Sequence, residues 1–472
     1  MKREKMAGST SRNRRQFFFW IAVLIGAAPR AVLAGAPSLN AAAGINPANF
    51  RYTAFATGLN FPVGVQSLSD GSLLVGTSNP VGNSGVYGST GSLVRFVDAN
   101  HDGVADNPAG TVVYNGLPGT LTSLQQAGNL LVVTSGGISP SITFLRMSSP
   151  TSYSLLGTEN LSFPIQSNGQ SWEHTTYAAA VQPTAGLPGS YDLFFNIGSQ
   201  ADNVTTPAST TVSASGLFTA TLHGDSIYRV RISGGASPAF SAVTQIASGL
   251  RNAAGIAFQP GTGDLYFNDN GIDNGAGNPT YTNTGKEYSA DKINKITANQ
   301  LGSTIPDFGF AHDVILESDG SRVGDGTGVQ PLQTFRALPN STQSEGPSQI
   351  AFAPSSFPDG LNGGIFVSFH GGPFVGAANA QNPLVYYDPA TNDYFHFIEA
   401  GQAGLGHIDG LLSTSDALFM SDLNTSGSLY DSSGAGSGAI YELVAVPEPA
   451  STAIVGTVAI LLAAQRRPRP AR

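Results

Sequence analysis

The sequence predicts an all-β protein built from six similar antiparallel sheets. The 472-residue chain has 58 glycines and 29 prolines, with 41% hydrophobic and 11% charged residues, a composition typical of a globular protein of short strands joined by turns. One apolar strand pattern recurs six times after a turn, beginning at Leu73, Leu130, Leu193, Leu265, Ile365 and Leu418. Because each copy is followed by another apolar strand, the repeat unit is itself a small sheet.

Each repeat contains enough strands for one blade of a β-propeller. The strands that follow the six copies read SLVRFVD, SITFLRM, DSIYRVRI, DKINKI, PLVYYD and GAIYEL, and an apolar segment such as VGVQSL, AGIAFQP, SQIAFAP or HIDGLL precedes most copies. A blade is a four-stranded sheet, which cannot bury both of its faces alone. We therefore predict a six-bladed β-propeller over residues 45–444.

The interval between Leu265 and Ile365 is longer than the others. It predicts a long loop on the top face in the polar segment that begins at Gly275, and an outer strand with an insertion within residues 301–328. Insertions in propellers often lie where ligands bind, so we expect this part of the chain to be near a site.

Residues 1–34 predict an export signal. Arg14 and Arg15 precede an apolar run that ends in AVLA, with Val32 and Ala34 at the small positions that a signal peptidase accepts. The segment NRRQFFF resembles the twin-arginine motif, and an ordinary secretory signal is the alternative. Either interpretation predicts that the mature protein leaves the cytoplasm.

Residues 446–472 predict a sorting or anchor segment with a short hydrophobic helix. VPEP is followed by 15 small or apolar residues from Ala450 to Ala464, fewer than the roughly 20 that span a bilayer, and then by four arginines. The order and spacing resemble the PEP-CTERM signal of Gram-negative bacteria. This resemblance implies an exosortase-type sorting machinery as partner, transient inner-membrane association, and a final location in the periplasm, at the cell surface or in the extracellular matrix. A plain tail anchor is the alternative.

Composition excludes several classes of function. The chain has no cysteine, which excludes disulfides, thiolate metal sites and a cysteine nucleophile. Without the two terminal segments, 11 basic and 29 acidic residues remain, a net charge near −18. Nucleic acid is therefore not an expected partner. An exported acidic protein rich in Asp and Asn is suited to calcium, which prefers oxygen ligands.

Several segments, taken in order, resemble the soluble quinoprotein glucose/sorbosone dehydrogenase family. They are GLNFPVGVQSLSDGSLLVG, WEHTTY, YDLFFNIGSQADN, GLRNAAGIAFQPGTGDLYFNDNGIDN, GPSQIAFAPSSFPDGLNGGIFVSFHGG and GHIDGLLSTSDALFMSDL, spread over most of residues 50–444. The resemblance implies a six-bladed propeller that holds pyrroloquinoline quinone (PQQ) and calcium on its top face and oxidises a sugar or related alcohol.

The resemblance implies a base and a set of quinone contacts. Oxidation of a hydroxyl needs a base with a pKa near neutrality facing the cofactor, and the resemblance implies His174 for this role. A hydrogen-bonded histidine at the central channel is the alternative. It also implies that Gln200, Arg251 and Asn252 contact the quinone, a tricarboxylate that a guanidinium and an amide suit. Alternatively, Arg251 fixes a blade loop through backbone carbonyls.

Two segments are candidates for calcium. The resemblance implies that Gly271, Ile272 and Asp273 form a calcium loop through backbone carbonyls and an acid, with a plain Asn-Gly turn as the alternative. The second candidate is DANHDGVAD, a predicted hairpin loop whose oxygen-bearing residues are Asp98, Asn100, Asp102 and Asp106. Here an empty acidic turn is the alternative.

The chain also departs from the family pattern. His370 stands where quinone-binding members have a lysine, so we expect it at the cofactor-facing position, and GLGHID around His407 and Asp409 replaces two arginines. This loss of positive charge should weaken the hold on a tricarboxylate. Between the two terminal segments the chain has three lysines, which either compensate or lie on a solvated loop: Lys286, Lys292 and Lys295.

Two functions from different classes fit the sequence. The first is an exported dehydrogenase of a sugar or polyol that uses PQQ and calcium. The second is a non-catalytic, calcium-stabilised propeller that binds glycans or extracellular matrix partners through the same face. Both predict the same fold, so the sequence leaves enzymatic activity open.

Overall fold

A computed structural model gives the structure of this protein, and the residues that it describes lie between positions 37 and 446. They are residues 37–137, 139–165, 169, 171–201, 212–233, 237–272, 289–310, 312–335, 346–371, 383–398, 405, 407–425, 429 and 432–446. The described chain begins with two 3₁₀ turns, Ala41–Ala43 and Pro47–Asn49, and with strand β1 (Phe50–Leu59). Among these residues, no helix has the length and apolar character needed to cross a membrane.

Six antiparallel sheets follow, which we number as blades in chain order. Blade 1 contains β2 (Pro62–Ser67), β3 (Leu73–Pro80), β4 (Ser89–Phe96) and β5 (Thr111–Leu117). Blade 2 contains β6 (Thr120–Ala127), β7 (Leu130–Gly136), β8 (Ser141–Ser149) and β9 (Ser152–Ser162). Blade 3 contains β10 (Ala179–Pro183) and β11 (Tyr191–Ile197), then, after a hairpin of β12 (Val212–Ser215) and β13 (Thr219–Leu222), β14 (Ser226–Ile232) and β15 (Thr244–Ala247).

The remaining blades follow the same order from inner to outer strand. Blade 4 contains β16 (Ile256–Phe258), β17 (Leu265–Asp269) and β18 (Asp291–Ile296), then, after a hairpin of β19 (Asp313–Ile315) and β20 (Arg322–Gly324), β21 (Gln333–Phe335). Blade 5 contains β22 (Pro347–Phe352), β23 (Ile365–Phe369), β24 (Leu384–Asp388) and β25 (Asp393–His396). Blade 6 contains β26 (Ile408–Ser413), β27 (Ala417–Asp422) and, after a 3₁₀ turn at Ser432–Gly434, β28 (Gly438–Ala445).

The two ends of the propeller chain close the ring. Strand β1 pairs antiparallel with β28, from Phe50 opposite Ala445 to Leu59 opposite Gly438, and so becomes the outer strand of blade 6. Inner strands contact one another in the order β2, β6, β10, β16, β22, β26 and back to β2. The predicted all-β, six-bladed β-propeller is therefore confirmed.

The core consists of apolar layers between neighbouring blades. In β7, Leu130 and Val132 pack toward blade 3, whereas Leu131 and Val133 pack toward blade 1. This follows from the two-residue period of a strand, which points alternate side chains to opposite faces. Second strands of the blades are consequently buried on both faces, and they read as continuous apolar runs.

The β12–β13 hairpin is an insertion that the sequence did not predict. It leaves blade 3 and joins the outer edge of blade 2, where Ser213 lies opposite Ser162 of β9. The buried carboxylate of Glu159 fixes it by accepting hydrogen bonds from the backbone N–H groups of Leu217 (2.7 Å) and Phe218 (3.0 Å). Blade 2 therefore has six strands instead of four.

The predicted insertion within residues 301–328 contains the β19–β20 hairpin, and the outer strand β21 follows it. Lys292 and Lys295 lie on β18, so the expectation of a solvated loop was wrong for them. Lys292 is buried and pairs with Asp269 at 3.0 Å, and Lys295 pairs with Asp264 at 2.6 Å. Lys286 lies outside the described residues, as do the predicted export signal and the sorting segment beyond Val446.

The loop after β4 joins blade 1 to blade 6 at the point of ring closure. The Arg51 guanidinium donates to the carbonyl of Asp102, the Thr53 hydroxyl donates to the carbonyl of Gly103 at 2.8 Å, and Ala105 N–H donates to the carbonyl of Phe55 at 2.8 Å. Gly103 has φ of +84°. A Cβ atom there would meet the Arg51 guanidinium, the Glu442 carboxylate and the Thr53 hydroxyl.

We predict that Gly103→Ala destabilises the ring closure more than a turn glycine elsewhere does. Both Gly103→Ala and the control Gly71→Ala place alanine at a positive φ, which costs about 1–2 kcal/mol. Gly71 has φ of +80° and no atom within 4 Å of an added Cβ, so its alanine variant has the same backbone strain but no steric clash. Urea unfolding should give a lower midpoint for Gly103→Ala than for Gly71→Ala, and equal midpoints would contradict this account of the loop.

Candidate functional site at the mouth of the central channel

A cavity of about 220 Å³ lies where the central channel opens between the starts of the inner strands and the ends of the second strands. All six blades contribute to it. Its described lining combines apolar side chains with donors and acceptors from Tyr87, Thr120, Thr122, His174, Tyr177, Arg251, Asn252, Asn270, Ser348, His370 and Asp409. Three predicted cofactor residues, Arg251, Asn252 and His370, and the predicted base His174 therefore meet at one cavity.

Backbone hydrogen bonds fix the segment that carries His174. Its N–H donates to the carbonyl of Ser199 at 3.1 Å, and its own carbonyl accepts a hydrogen bond from Trp172 Nε1 at 3.1 Å. Asn196 on β11 accepts from the N–H groups of Tyr177 and Ala178, which anchors the segment as it enters the inner strand β10. His174 is thus held at the channel by its main chain.

The segment that carries Arg251 lies directly beside that of His174. The N–H of Ser199 donates to the carbonyl of Arg251 at 2.7 Å, so one residue of blade 3 bridges both segments. Arg251 is buried, with 3% of its surface exposed, and Asn252 is buried beside it. Asn252 N–H donates to Asp269 at 2.9 Å, and its side-chain oxygen accepts from Asn196 at 3.3 Å.

The β19–β20 insertion supports the Arg251 segment from outside the ring. Phe308 N–H donates to the carbonyl of Ser248, and Phe310 N–H donates to the carbonyl of Gly249, both at 2.9 Å. Phe310 also packs with Ile272, Val314 and Leu316 in a small apolar cluster. The insertion therefore contacts the residues that lead into Arg251, and its nearness to a functional site stays a prediction.

His370 forms a short contact with an acid across the boundary between blades 5 and 6. Its Nδ1 lies 2.7 Å from Oδ2 of Asp409. His407, which is fully buried, places Nδ1 2.5 Å from the carbonyl of His370, and its backbone N–H donates to Asp422 at 2.9 Å. The His370 and His407 rings are 5.3 Å apart.

These neighbours shift the pKa values of the two histidines in opposite directions. Burial disfavours the charge of His370, but the Asp409 carboxylate outweighs it and raises the pKa of His370 above its ordinary value of 6.5. Burial, and then the charge of His370, lower the pKa of His407. Although burial favours protonation of Asp409, His370 holds the pKa of this carboxyl below its usual 3.8.

The other predicted site residues lie away from the cavity lining. Gln200 is beside the His174 segment, where its carbonyl accepts from the N–H of Glu173 at 3.1 Å, and it is not among the lining residues. Gly271 and Ile272 are buried, and their N–H groups donate to Asp291 and to Ser289 Oγ, both at 2.7 Å. Asp273 lies outside the described residues, so the structure describes two of the three residues of that calcium candidate.

In the loop over residues 98–106, the side-chain oxygens accept backbone hydrogen bonds. Asp98 accepts from Asp102 N–H and Gly103 N–H, Asn100 also accepts from Asp102 N–H, and Asp106 accepts from Ala99 N–H at 3.1 Å. In the part of the chain that the structure describes, no three His, Asp or Glu side chains come together in a way that would hold a metal ion. The calcium candidates thus stay predictions.

Asn270, Tyr177 and Asp409 line the cavity but were not predicted to contact the cofactor or the substrate. A signal for one of them was present in the repeats. Asn270, His370 and Leu423 each stand five residues after the first apolar residue of their repeat, and all three line the cavity. This position follows the buried second strand at the end that opens on the channel, and it lines the cavity in three of the six blades, so an alignment of the repeats makes Asn270 a candidate.

Comparison with known proteins identifies the fold. No family model matches the sequence, and no curated protein matches it. The structure is similar to the PQQ-bound form of an aldose sugar dehydrogenase from Streptomyces coelicolor, with a TM-score of 0.50 and 18% identity over 85% of this chain and 99% of that chain. It is also similar to the iodide structure of a Trichoderma reesei carbohydrate-active enzyme of family AA12, with a TM-score of 0.52 and 14% identity over 88% of this chain and 99% of that one. At these identities the likeness establishes the propeller fold.

We predict that Gly198→Ala distorts the cavity without unfolding the propeller. An added Cβ would lie 2.5 Å from His174 Cβ and 2.7 Å from the His174 carbonyl oxygen, too close to be accommodated in place. The control is Gly136→Ala in the neighbouring blade, where the closest atom is 3.2 Å away. NMR spectra should show larger shifts of the His174 ring signals in Gly198→Ala than in Gly136→Ala, and equal shifts would contradict the packing described.

Proposed function

We propose that the protein is an exported oxidoreductase that oxidises a hydroxyl group of a sugar or polyol with bound PQQ. The observation that supports this most is the convergence of His174, Arg251, Asn252 and His370 on one cavity, although they come from three different blades. The propeller fold shared with a PQQ-bound aldose sugar dehydrogenase is consistent with the proposal. Export follows from the predicted signal over residues 1–34.

The donor groups of the cavity fit such a cofactor, but they include fewer positive charges than the three carboxylates of PQQ could pair with. Arg251 offers a guanidinium, Asn252 and Asn270 offer amides, and hydroxyl groups of threonine and tyrosine line the opposite side. Asp409 is an acid on the same wall. We therefore expect PQQ to be held chiefly through Arg251 and Asn252, and to be held more weakly than where further cations are present.

The residues of the chain would bind the substrate and move its proton. Bound at this mouth, PQQ would supply the acceptor for the hydride. The hydroxyl and amide groups of the lining are suited to the hydroxyl groups of a sugar. An imidazole of the cavity takes the hydroxyl proton, and the family resemblance points to His174 first.

We predict that the purified protein binds PQQ in the presence of calcium and that Arg251 controls the affinity. Hydrogen bonds to charged groups contribute roughly 1.5–3 kcal/mol, so Arg251→Gln should weaken binding about 10- to 100-fold in an absorbance titration. Arg251→Lys should lose less, because it keeps the charge and loses the planar fork. Arg231→Gln removes an arginine paired with Asp192 outside the cavity and is the matched control.

Failure of the folded wild type to bind PQQ, together with no dye reduction on a sugar panel, would contradict this function. It would favour the second candidate, a calcium-stabilised propeller that binds glycans or matrix partners, which the hydroxyl and amide groups of the lining also suit. Glycan binding by the same folded sample, abolished by Arg251→Gln and unaffected by Arg231→Gln, would then identify that alternative.

Calcium is part of the proposal, and the loop over residues 98–106 is where we expect its effect on stability. The loop presents carboxylate and amide oxygens to a hard cation and joins blade 1 to blade 6, so an ion there would stabilise the ring closure. Thermal unfolding should occur several degrees higher in calcium than in chelator. Asp102→Asn should abolish this difference and Asp359→Asn, on an exposed turn, should keep it. Identical responses of the two variants would exclude calcium from this loop.

Sorting completes the proposal. The predicted segment over residues 446–472 would bring the protein to exosortase-type machinery after transient association with the inner membrane, and the mature protein would remain in the periplasm, at the cell surface or in the extracellular matrix. Its support is the order of VPEP, apolar segment and arginines in the sequence.

A further inference from the structure

His370 and Asp409 form a histidine–carboxylate pair on the wall of the cavity. Nδ1 of His370 lies 2.7 Å from Asp409 Oδ2, and 24% of the His370 side chain is exposed at the cavity. Among the described residues, Nε2 of His370 has no hydrogen-bond partner. One ring nitrogen is therefore fixed by a carboxylate, while the other is available to a ligand.

The carboxylate itself is held in place. Only 11% of the Asp409 side chain is exposed, and its backbone carbonyl accepts a hydrogen bond from Ser348 Oγ at 3.2 Å. The backbone of His370 is fixed as well, because its N–H donates to the carbonyl of Gly346 at 2.8 Å and its carbonyl lies 2.5 Å from His407 Nδ1. The backbone of each partner is therefore fixed by a neighbouring residue.

Charge decides what this pair can do. With His370 protonated, the pair is an ion pair with no net charge, and with His370 neutral it carries one negative charge. Neither state can replace a lysine in binding a carboxylate of a cofactor. A carboxylate that orients an imidazole and stabilises its protonated form is instead suited to proton transfer.

The Nε2 atom of His174 is less accessible to a ligand than that of His370. Its Nε2 atom is shielded from solvent, and the backbone on both sides of it is fixed by Ser199 and Trp172. His370 lines the same cavity from blade 5, and its Nδ1 contacts Asp409 of blade 6. Both histidines are therefore candidates for the base, and the contact with Asp409 orients the ring of His370 for this role.

We propose that His370, held by Asp409, accepts the proton of the substrate hydroxyl in this cavity. The inference rests on the proposed function. When the hydroxyl carbon is oxidised to a carbonyl, the O–H bond breaks and its proton goes to His370 Nε2. Bound PQQ would supply the two-electron acceptor for the hydride that leaves when the C–H bond breaks. Asp409 is a positioning residue that does not touch the substrate.

The pH dependence follows from the charges around His370. Asp409 and Asp422 raise its pKa above 6.5, and the nearby His407 stays neutral because its own pKa is lowered. Arg251 and His174 face it across the cavity. A base works only when unprotonated, so kcat should rise with pH through a pKa above 6.5. Replacing Asp409 by Asn removes the carboxylate and should move this rise to lower pH.

The test compares His370→Gln, Asp409→Asn and His174→Gln in the PQQ- and calcium-loaded full-length protein. His223→Gln is the control, because His223 is an exposed histidine that does not line the cavity. His370→Gln should lower kcat by about 10²- to 10⁴-fold while PQQ affinity, measured by absorbance titration, stays within about threefold. In NMR titrations the His370 ring should show a pKa above 6.5 that falls in Asp409→Asn and that changes when saturating sugar is added.

The outcomes separate this inference from the function on which it rests. If the wild type binds PQQ and turns over, but His370→Gln keeps its kcat and His174→Gln loses it, the inference is wrong and the function stands. A pH profile of kcat that is the same in Asp409→Asn as in the wild type would also overturn it. So would a pKa of the His370 ring that stays unchanged when a sugar that the enzyme oxidises is added. If the wild type neither binds PQQ nor oxidises any sugar, both proposals fail, and the binding titration identifies the function as the point of failure.

Discussion

Packing between neighbouring blades is the interaction on which the rest of the structure depends. Each middle strand is covered on both faces, and its alternate side chains belong to two different apolar layers, as Leu130 and Leu131 illustrate. A sheet of this kind has no stable form outside the ring, because one of its faces would be exposed to water. Closure of the ring is therefore essential. The antiparallel pairing of β1 with β28, the first and last strands of the propeller, provides this closure.

The ring also determines where chemistry can occur. Inner strands begin, and second strands end, at the same mouth of the channel, so residues just outside these strands meet although they are far apart in sequence. Polar residues near the ends of second strands fix the entering segments, as Asn196 does for Tyr177 and Asp269 does for Asn252. Buried hydrogen bonds between the second strands and the backbone of these segments thus preorganise the site. A loop without such bonds would not hold the residues in fixed positions.

The two insertions act on different parts of this arrangement. Phe308 and Phe310, just before the β19–β20 hairpin, support the Arg251 segment through backbone hydrogen bonds. The β12–β13 hairpin instead widens blade 2 at its outer edge and is fixed there by Glu159. The His370–Asp409 pair places a histidine and an acid on the wall of a cavity that also carries Arg251 and Asn252. The cavity therefore combines a guanidinium with a group that can exchange a proton.

The sequence by itself determined the propeller and the number of blades, because two-residue periodicity and six repeats of a doubly buried strand are local properties that any closed ring must satisfy. It also pointed to His174, Arg251, Asn252 and His370 as residues of one site. Only the tertiary structure decided that Asp409 pairs with His370, that Lys292 is buried against Asp269, and that β12–β13 joins blade 2. These contacts connect different blades or distant strands, and such partners depend on how the ring closes and not on any local pattern.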